Sequence, residues 1–511
     1  MNLLRTLAKI SSMTFLSRIL GFVRDAIVAR SFGASIYTDA FVIATKIPNL
    51  LRRLFAEGAF SQAFVPILAE YKNRRGHDET RLLVDHVATL LFITLVIVTI
   101  LGVIAAPLIV YLSAPGFIDA PDKFTITVQM LRITFPYILL ISLVSLAGGI
   151  LNTYSQFSVP AFTPVLFNAA IIAATLWLAP HIHPPALALA WGVALGGILQ
   201  LALQLPFLQR LGLLPRFRFN WHDEGVWRVL KLMGPAVFGV SIAQLSLLIN
   251  TIFASFLATG SVSWLYYADR LMEFPTGMLG VALGTILLPS LSKHYADNDP
   301  AQYSQLLDWG LRLTLLLALP AAAALAVLAL PLISTLFQYG QFTSHDVWMT
   351  RQALIAYSLG LLGLIMIKIL APGFYARQNI RTPVKIAIIS LIATQLMNLV
   401  FVWRLQHAGL ALAIGLGACL NAGLLLWKLR SQGIFQPQPG WYAFIFKISV
   451  ASAVMAALLW WRTGNDADWL NVHFGPRIIH LTILIGLGVI AYFATLSLLG
   501  IRVQQFIRRA A

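Results

Sequence analysis

Twelve apolar runs, each long enough to cross ~30 Å of hydrocarbon, follow one another along the chain. They occupy residues 87–112, 131–151, 162–178, 186–208, 229–257, 265–291, 311–337, 353–371, 384–402, 408–427, 442–461 and 478–499. Ahead of them, residues 6–72 have the length and apolar content of two more spanning helices. Yet Arg18, Arg24, Asp25, Arg30, Asp39, Lys46, Arg52, Arg53 and Glu57 interrupt that stretch. A charged side chain near the bilayer centre costs ~2.5–3.5 kcal/mol on insertion scales, so such a run persists where it faces protein or a water-filled cavity. The pattern predicts an all-α membrane protein of fourteen transmembrane helices, with the opening hairpin as one wall of a hydrated, cationic cavity.

An internal repeat divides the helices. Gly33-Ala34-Ser35 begins fifteen residues before Pro48, and Gly260-Ser261 fifteen before Pro275, which makes the second and eighth helices equivalent. Tyr154 and Val159 precede Thr163-Pro164-Val165 much as Tyr375 and Ile380 precede Thr382-Pro383-Val384. Two six-helix lobes follow. An even number of helices separates the copies, so they keep one orientation about a pseudo-twofold axis along the membrane normal, as in transporters that rock two lobes. The expected division is a first lobe over 1–220, a second over 221–435, and two C-terminal helices over 436–511 that lie outside the repeat. Pro48, Pro136, Gly148-Gly149, Pro235, Pro275 and Pro372 fall inside helices and predict bends there.

Charge fixes the expected orientation. With the N-terminus inside, the even connections hold Lys72, Arg74, Arg75, Arg81, Arg210, Arg216, Arg218, Arg228, Lys293, Arg377, Arg381, Lys428 and Arg430. The odd ones offer Lys123, Arg404 and Arg462 against Asp119, Asp122, Asp346, Asp466 and Asp468. That asymmetry obeys the positive-inside rule and places both termini in the cytoplasm, with Arg502, Arg508 and Arg509 on the tail. Topology thus accounts for much of the net charge of +17, and no nucleic-acid partner is needed. Only 11% of residues are charged, against ~25% in soluble domains, and the mean hydropathy is +0.81. The first apolar run has no convincing cleavage site, so the first helix is expected to stay. A lone Cys419 excludes an internal disulfide framework and a cysteine metal cluster.

The chemistry concentrates on the second and eighth helices. Asp39, Lys46 and Arg53 are spaced seven apart, a drift of only ~20° per step, and Glu57 lies one turn beyond Arg53. Arg52 sits about 100° round the helix, and Arg18 and Arg24 are about 120° apart on theirs, so a wide cavity fits better than a narrow seam. The eighth helix adds Asp269, Arg270 and Glu273 beside Pro275. Arg18, Arg24, Arg52 and Arg270 read as four buried guanidiniums that no excess of acids accounts for, and guanidinium forks suit phosphates, so the set points to a diphosphate-like anion. No Walker loop, no metal-spaced cluster and no Ser-His-Asp constellation accompanies them. His181 and His183 fall in loops. The chain is read as a non-enzyme without cofactor or metal.

The motifs of the first hairpin are specific. Ser17-Arg18-Ile19-Leu20-Gly21-Phe22 with Arg24-Asp25, Asp39-Ala40-Phe41, Pro48-Asn49-Leu50-Leu51-Arg52-Arg53, Glu57-Gly58-Ala59-Phe60-Ser61 and Ala63-Phe64-Val65-Pro66 closely resemble the MurJ (MviN) family of lipid II flippases of bacterial peptidoglycan synthesis. Ala268-Asp269-Arg270-Leu271 and residues 280–289 extend the resemblance, which runs essentially the full length. Within the larger superfamily of multidrug and oligosaccharidyl-lipid exporters, the resemblance implies a V-shaped pair of lobes. It further implies a central cationic cavity lined by Arg18, Arg24, Arg52 and Arg270, and a lipid-tail groove from helices thirteen and fourteen. Asp39, Lys46 and Glu273 match further positions implicated in the family.

The expected function is flipping of lipid II, an undecaprenyl-diphosphate-linked precursor, from the cytoplasmic to the periplasmic leaflet of the bacterial inner membrane by alternating access. The expected partners are lipid II, membrane lipids and other cell-wall synthesis proteins, with the chain itself a monomer. The rivals are a flippase for another polyprenyl-diphosphate oligosaccharide and a multidrug antiporter, the latter disfavoured because a cationic cavity repels cationic drugs. A membrane enzyme acting on the lipid-linked sugar would need a positioned base or metal.

Overall fold

The computed structural model describes residues 3–53 and 60–501, with side chains described for all of these except 3–11, 62, 235–243, 281–282 and 285–286. Among the described residues every regular element is helical, and nine helices are long and apolar enough to cross a membrane. One of the nine, Arg381–Ser431, is two helices joined at Gln406, whose φ of 48° and ψ of −126° break the rod. The order of elements is consistent with fourteen spans. The chain divides into two compact units, Met1–Gly260 and Ser261–Ala511.

In the first unit α1 (Leu3–Phe32) ends at Gly33, whose φ of 62° suits a residue without a Cβ. Ser35 then caps α2 (Ile36–Leu51), accepting a hydrogen bond from the Tyr37 amide. After them come α3 (Ser61–Arg74), α4 (Gly76–Ile104), α5 (Ala106–Ser113), α6 (Pro121–Thr134), α7 (Tyr137–Thr153), α8 (Ser158–Ala173), α9 (Leu187–Arg210) and α10 (Glu224–Ser255). Phe64, Leu68, Leu83, Val84, Ile150, Leu151 and Val229 join α3, α4, α7 and α10 in one buried cluster. Asp223 caps α10 and also receives His86 at 2.8 Å. Arg228 on α10 forks onto both oxygens of Glu70 on α3, at 3.1 and 2.6 Å. The seventh spanning helix is therefore packed with the first unit, although the repeat makes it the counterpart of α1.

The second unit opens with α11 (Ser261–Pro275), a π-helical turn over Thr276–Gly280, and α12 (Val281–Ala296). It continues through α13 (Pro300–Val327), α14 (Ala329–Phe337), α15 (Ser344–Leu370), α16 (Pro372–Tyr375), α17 (Arg381–Ser431), α18 (Trp441–Thr463), α19 (Asp466–Asn471) and α20 (Phe474–Leu498). Thr343 and Asp346 form a reciprocal capping box at the head of α15. Gly360 on α15 and Gly415 on α17 meet backbone to backbone, and a Cβ on Gly360 would fall 2.0 Å from the Gly415 Cα. The entry to α18 is tied down by α13. Asp308, 1% exposed, accepts from Gln438 N and Trp441 Nε1, and Arg312 donates to the Gln438 and Pro439 carbonyls while bonding Asp308.

The repeat has a counterpart in the backbone. Gly33 and Gly260 both take positive φ, 62° and 97°, and each precedes a helix interrupted near its proline. Pro275 leads into the π-helical turn, and π geometry also occurs at Arg52 and Arg53 beyond Pro48. The second landmark needs a different register. Ser155 (φ 63°) stands five residues before Pro160, and Gln378 (φ 57°) five before Pro383. Gln156 and Asn379 close the same turn by donating to the Leu151 and Phe374 carbonyls. Pro160, not Pro164, is the counterpart of Pro383.

Candidate functional site

Arg24, its side chain 12% exposed, is held by two neighbours. Its Nε and Nη2 donate to Asp25 Oδ1 at 2.9 and 2.6 Å, and its Nη1 donates to Asn168 Oδ1 at 3.0 Å. Asp25 is 2% exposed. Asn168 comes from α8, and its Nδ2 donates to the carbonyls of Ser17 and Pro164. One amide thus ties α8 to α1 and aims the guanidinium. Proline at 164 leaves the Pro160 carbonyl without its helical donor, and the Thr163 hydroxyl supplies one at 2.9 Å.

Asp39 lies at the centre of a second polar knot. The carboxylate is fully buried and accepts from Lys123 Nζ at 2.7 Å and from the Gly260 amide at 2.8 Å. Lys123, itself 3% exposed, also lies 4.1 Å from the centre of the Phe117 ring. A cation and an anion sealed together carry no net charge outward, so this pair holds α2 to α6. Lys123, counted above as a loop charge, is a buried partner in the first turn of α6. Lys46 reaches Thr251 Oγ1 on α10 at 2.8 Å.

The even spacing of Asp39, Lys46 and Arg53 therefore does not give one stripe with one role. Asp39 faces α6, Lys46 faces α10, and Arg53 is exposed. Arg52 bonds Asn49 Oδ1 at 3.3 Å and, with Asn49, lines an open-mouthed cavity of about 450 Å3 whose other walls come mainly from α7, α8 and α9. Arg18 is exposed. In the second unit Asp269 is exposed, and Arg270 pairs with Glu273 at 3.0 Å. Glu57 lies outside the described residues.

Burial and pairing of the arginines differ from expectation. Arg18 is exposed, and Arg24, Arg52 and Arg270 are partly buried, Arg24 with 12% and Arg270 with 29% of the side chain exposed. Acids do accompany Arg24 and Arg270, as Asp25 and Glu273. Guanidiniums that stay partly open yet pre-aimed by a neighbour suit a bound anion, because little side-chain freedom is left to lose when it arrives. Sequence reasoning missed Asn168, Thr251 and Lys123 as partners. Each is 84 to 205 residues from the group it serves, and no spacing rule reaches so far. Among the described residues no group of three or more His, Cys, Asp or Glu is placed to hold a metal ion.

Comparison with known proteins places the chain. The profile of the lipid II flippase MurJ family matches residues 28–480. The lipid II flippase MurJ of Burkholderia cenocepacia is 54% identical over the whole of both chains, and the probable lipid II flippase MurJ of Vibrio cholerae is 43% identical over 99% of this chain and 97% of its own. A solved structure of lipid II flippase MurJ in an inward closed conformation superposes with a TM-score of 0.80 at 27% identity, over 96% of this chain and 98% of the other. An inward-facing multidrug resistance MATE family transporter of the MOP superfamily shares the fold, with a TM-score of 0.65 at 14% identity over 84% of this chain and 98% of its own. By sequence over its full length and by fold, this chain is a member of the lipid II flippase MurJ family.

Proposed function

We propose that this multi-pass membrane protein carries lipid II from the cytoplasmic to the periplasmic leaflet of the bacterial inner membrane by alternating access. The observation that carries the reading is the full-length match to lipid II flippases at 54% identity, joined to an enclosed, pre-aimed Arg24. Arg18, Arg24, Arg52 and Arg270 are assigned to the diphosphate, with Asp39, Lys46, Arg53, Glu57, Asp269 and Glu273 supporting the charged cavity. Forked donors and a charge that never titrates away fit that anion. The polyprenyl tail stays in lipid along α18 and α20, where Tyr442, Trp460 and Trp461 are exposed and suited to the membrane interface. A negative-inside potential helps return an empty cationic cavity, since one charge crossing 100 mV is worth ~2.3 kcal/mol.

The functional division of the chain is 1–220, 221–435 and 436–511. By the repeat, α10 opens the second lobe as α1 opens the first, while its packing on α3 ties that lobe's first helix to the first unit. The chain works as a monomer and leaves its substrate covalently unchanged, which product analysis after incubation with lipid II checks. Depletion in cells followed by a leaflet assay tests the reading as a whole. Lipid II accumulates on the cytoplasmic side if the reading holds, and unaltered lipid II distribution with accumulation of a different polyprenyl-diphosphate glycan would select the sister function.

Both termini are assigned to the cytoplasm. In a Cys419→Ser background, a cysteine at Ser344 should react with an impermeant maleimide added to intact cells, and one at Asn73 should not. Ser344 and Asn73 are both exposed, whereas Ser261 is fully buried and unsuited to labelling. Labelling of Asn73 from outside would reverse the orientation.

A further inference from the structure

The cavity lined by α7, α8 and α9 has a feature that the arginines do not explain. Gln204 on α9 is fully buried, and neither its Oε1 nor its Nε2 meets a hydrogen-bond partner among the described residues. Burying an amide unpaired is costly, and within helices packed this closely such groups are ordinarily satisfied. Gln204 belongs to the cavity wall, together with Gln200, Asn152, Thr163 and Arg52. Gln200 Oε1 accepts from the Tyr137 hydroxyl at 3.5 Å.

The approach to Gln204 runs past Gly148. A Cβ built on Gly148 would sit 4.0 Å from Gln204 Nε2 and 3.5 Å from the Pro160 side chain. The missing side chain therefore leaves an atom's width in front of the amide. The volume of about 450 Å3 falls within the ~300–1,000 Å3 of small-molecule sites. The walls are neutral and amide-rich on α7 and α9, while Arg52 alone among the wall residues named here brings charge.

On the opposite wall, α8 connects this cavity to the anion site. Thr163 and Pro164 line the cavity, and Asn168, one turn further on, holds Arg24. An anion held at Arg52, in the wall of this cavity, would place whatever is attached to it beside the neutral, amide-lined part of the pocket.

We propose that this pocket is a headgroup subsite in which Gln204 pairs with a secondary amide of the substrate's sugar-peptide portion, its Oε1 accepting the amide N–H or its Nε2 donating to the amide carbonyl. The proposal rests on the flippase reading and deepens it. The arginines read the diphosphate, common to every polyprenyl-diphosphate carrier, and Gln204 reads what distinguishes one carried headgroup from another.

Binding by the purified full-length protein in nanodiscs separates the possibilities, with lipid II and headgroup-free undecaprenyl diphosphate as the two probes. Gln204→Leu, close in volume but without polar atoms, should weaken lipid II binding about tenfold, the worth of one such hydrogen bond. It should leave undecaprenyl diphosphate binding unchanged. Gly148→Ala, whose added Cβ meets only ordinary contacts, should have the same selective effect by covering the amide. Equal weakening toward both lipids overturns the subsite in favour of a general packing role. Unchanged lipid II binding together with a raised unfolding temperature overturns it in favour of water alone. Wild-type protein that binds neither lipid overturns the flippase reading itself, a result distinguishable from the other two.

Discussion

Arg24→Ala should leave cells depleted of the native chain unable to grow, with lipid II retained in the cytoplasmic leaflet and transport down by about 100-fold or more. Truncating one member of a hydrogen-bonded, buried charge pair costs ~2–5 kcal/mol, and three of the guanidinium's donors are engaged at once, two on Asp25 and one on Asn168. Alanine does two things there. It removes the donor set offered to the substrate, and it strands a carboxylate that is 2% exposed. Asp25→Asn in the same chain separates them by removing the stranded charge. The double variant should recover membrane abundance but not transport. Arg24→Lys keeps the charge and loses the fork, so it should fall between wild type and alanine. Normal growth of Arg24→Ala cells at normal abundance would contradict the assignment.

The largest effect on stability is expected at Lys123. Lys123→Met leaves Asp39 charged and fully buried with only the Gly260 amide as its remaining donor of the two described above. Breaking a buried pair from one side costs ~3–5 kcal/mol, a large share of the ~5–15 kcal/mol that separates folded from unfolded domains. The protein should be depleted from the membrane, and the purified remainder should unfold at markedly lower temperature. Adding Asp39→Asn removes the charge and keeps an acceptor for Gly260, so most of the loss should return. A Lys123→Met chain as stable as wild type would show that the pair does not hold α2 to α6.

These two sites mark where sequence reasoning stops. The fold was legible because the bilayer admits few solutions. Long apolar runs must be helices, and a glycine with positive φ precedes both α2 and α11, each time fifteen residues before a proline. That Arg24 and Asp39 must be sheltered was legible for the same reason. Their partners were not. Asn168 is a lone polar residue on an apolar helix, and Lys123 sits two residues beyond the proline that begins α6, where it reads as a loop charge. The even spacing of Asp39, Lys46 and Arg53 suggested a shared face, but Asp39 and Lys46, two turns apart on α2, meet different neighbouring helices, and Arg53 lies in π geometry beyond Pro48. The repeat register at Pro160 was hidden because Ser155 and Gln378 share a backbone conformation without sharing a side chain.

The Gly360–Gly415 crossing bears on how the second unit can deform. Where side chains separate two helices, small rotamer changes let one slide along the other. Where main chains touch, there is nothing between them to rearrange, and sliding would drive rigid peptide groups into each other. Gly363 repeats the arrangement one turn along, where an added Cβ would lie 2.5 Å from the Cys419 amide nitrogen. Over that stretch α15 and the second half of α17 form a stiff beam. Bending in this unit then falls to places where the helical ladder is already broken, such as the π-helical turn after Pro275, the break at Leu328 between α13 and α14, and the non-helical residue at Gln406.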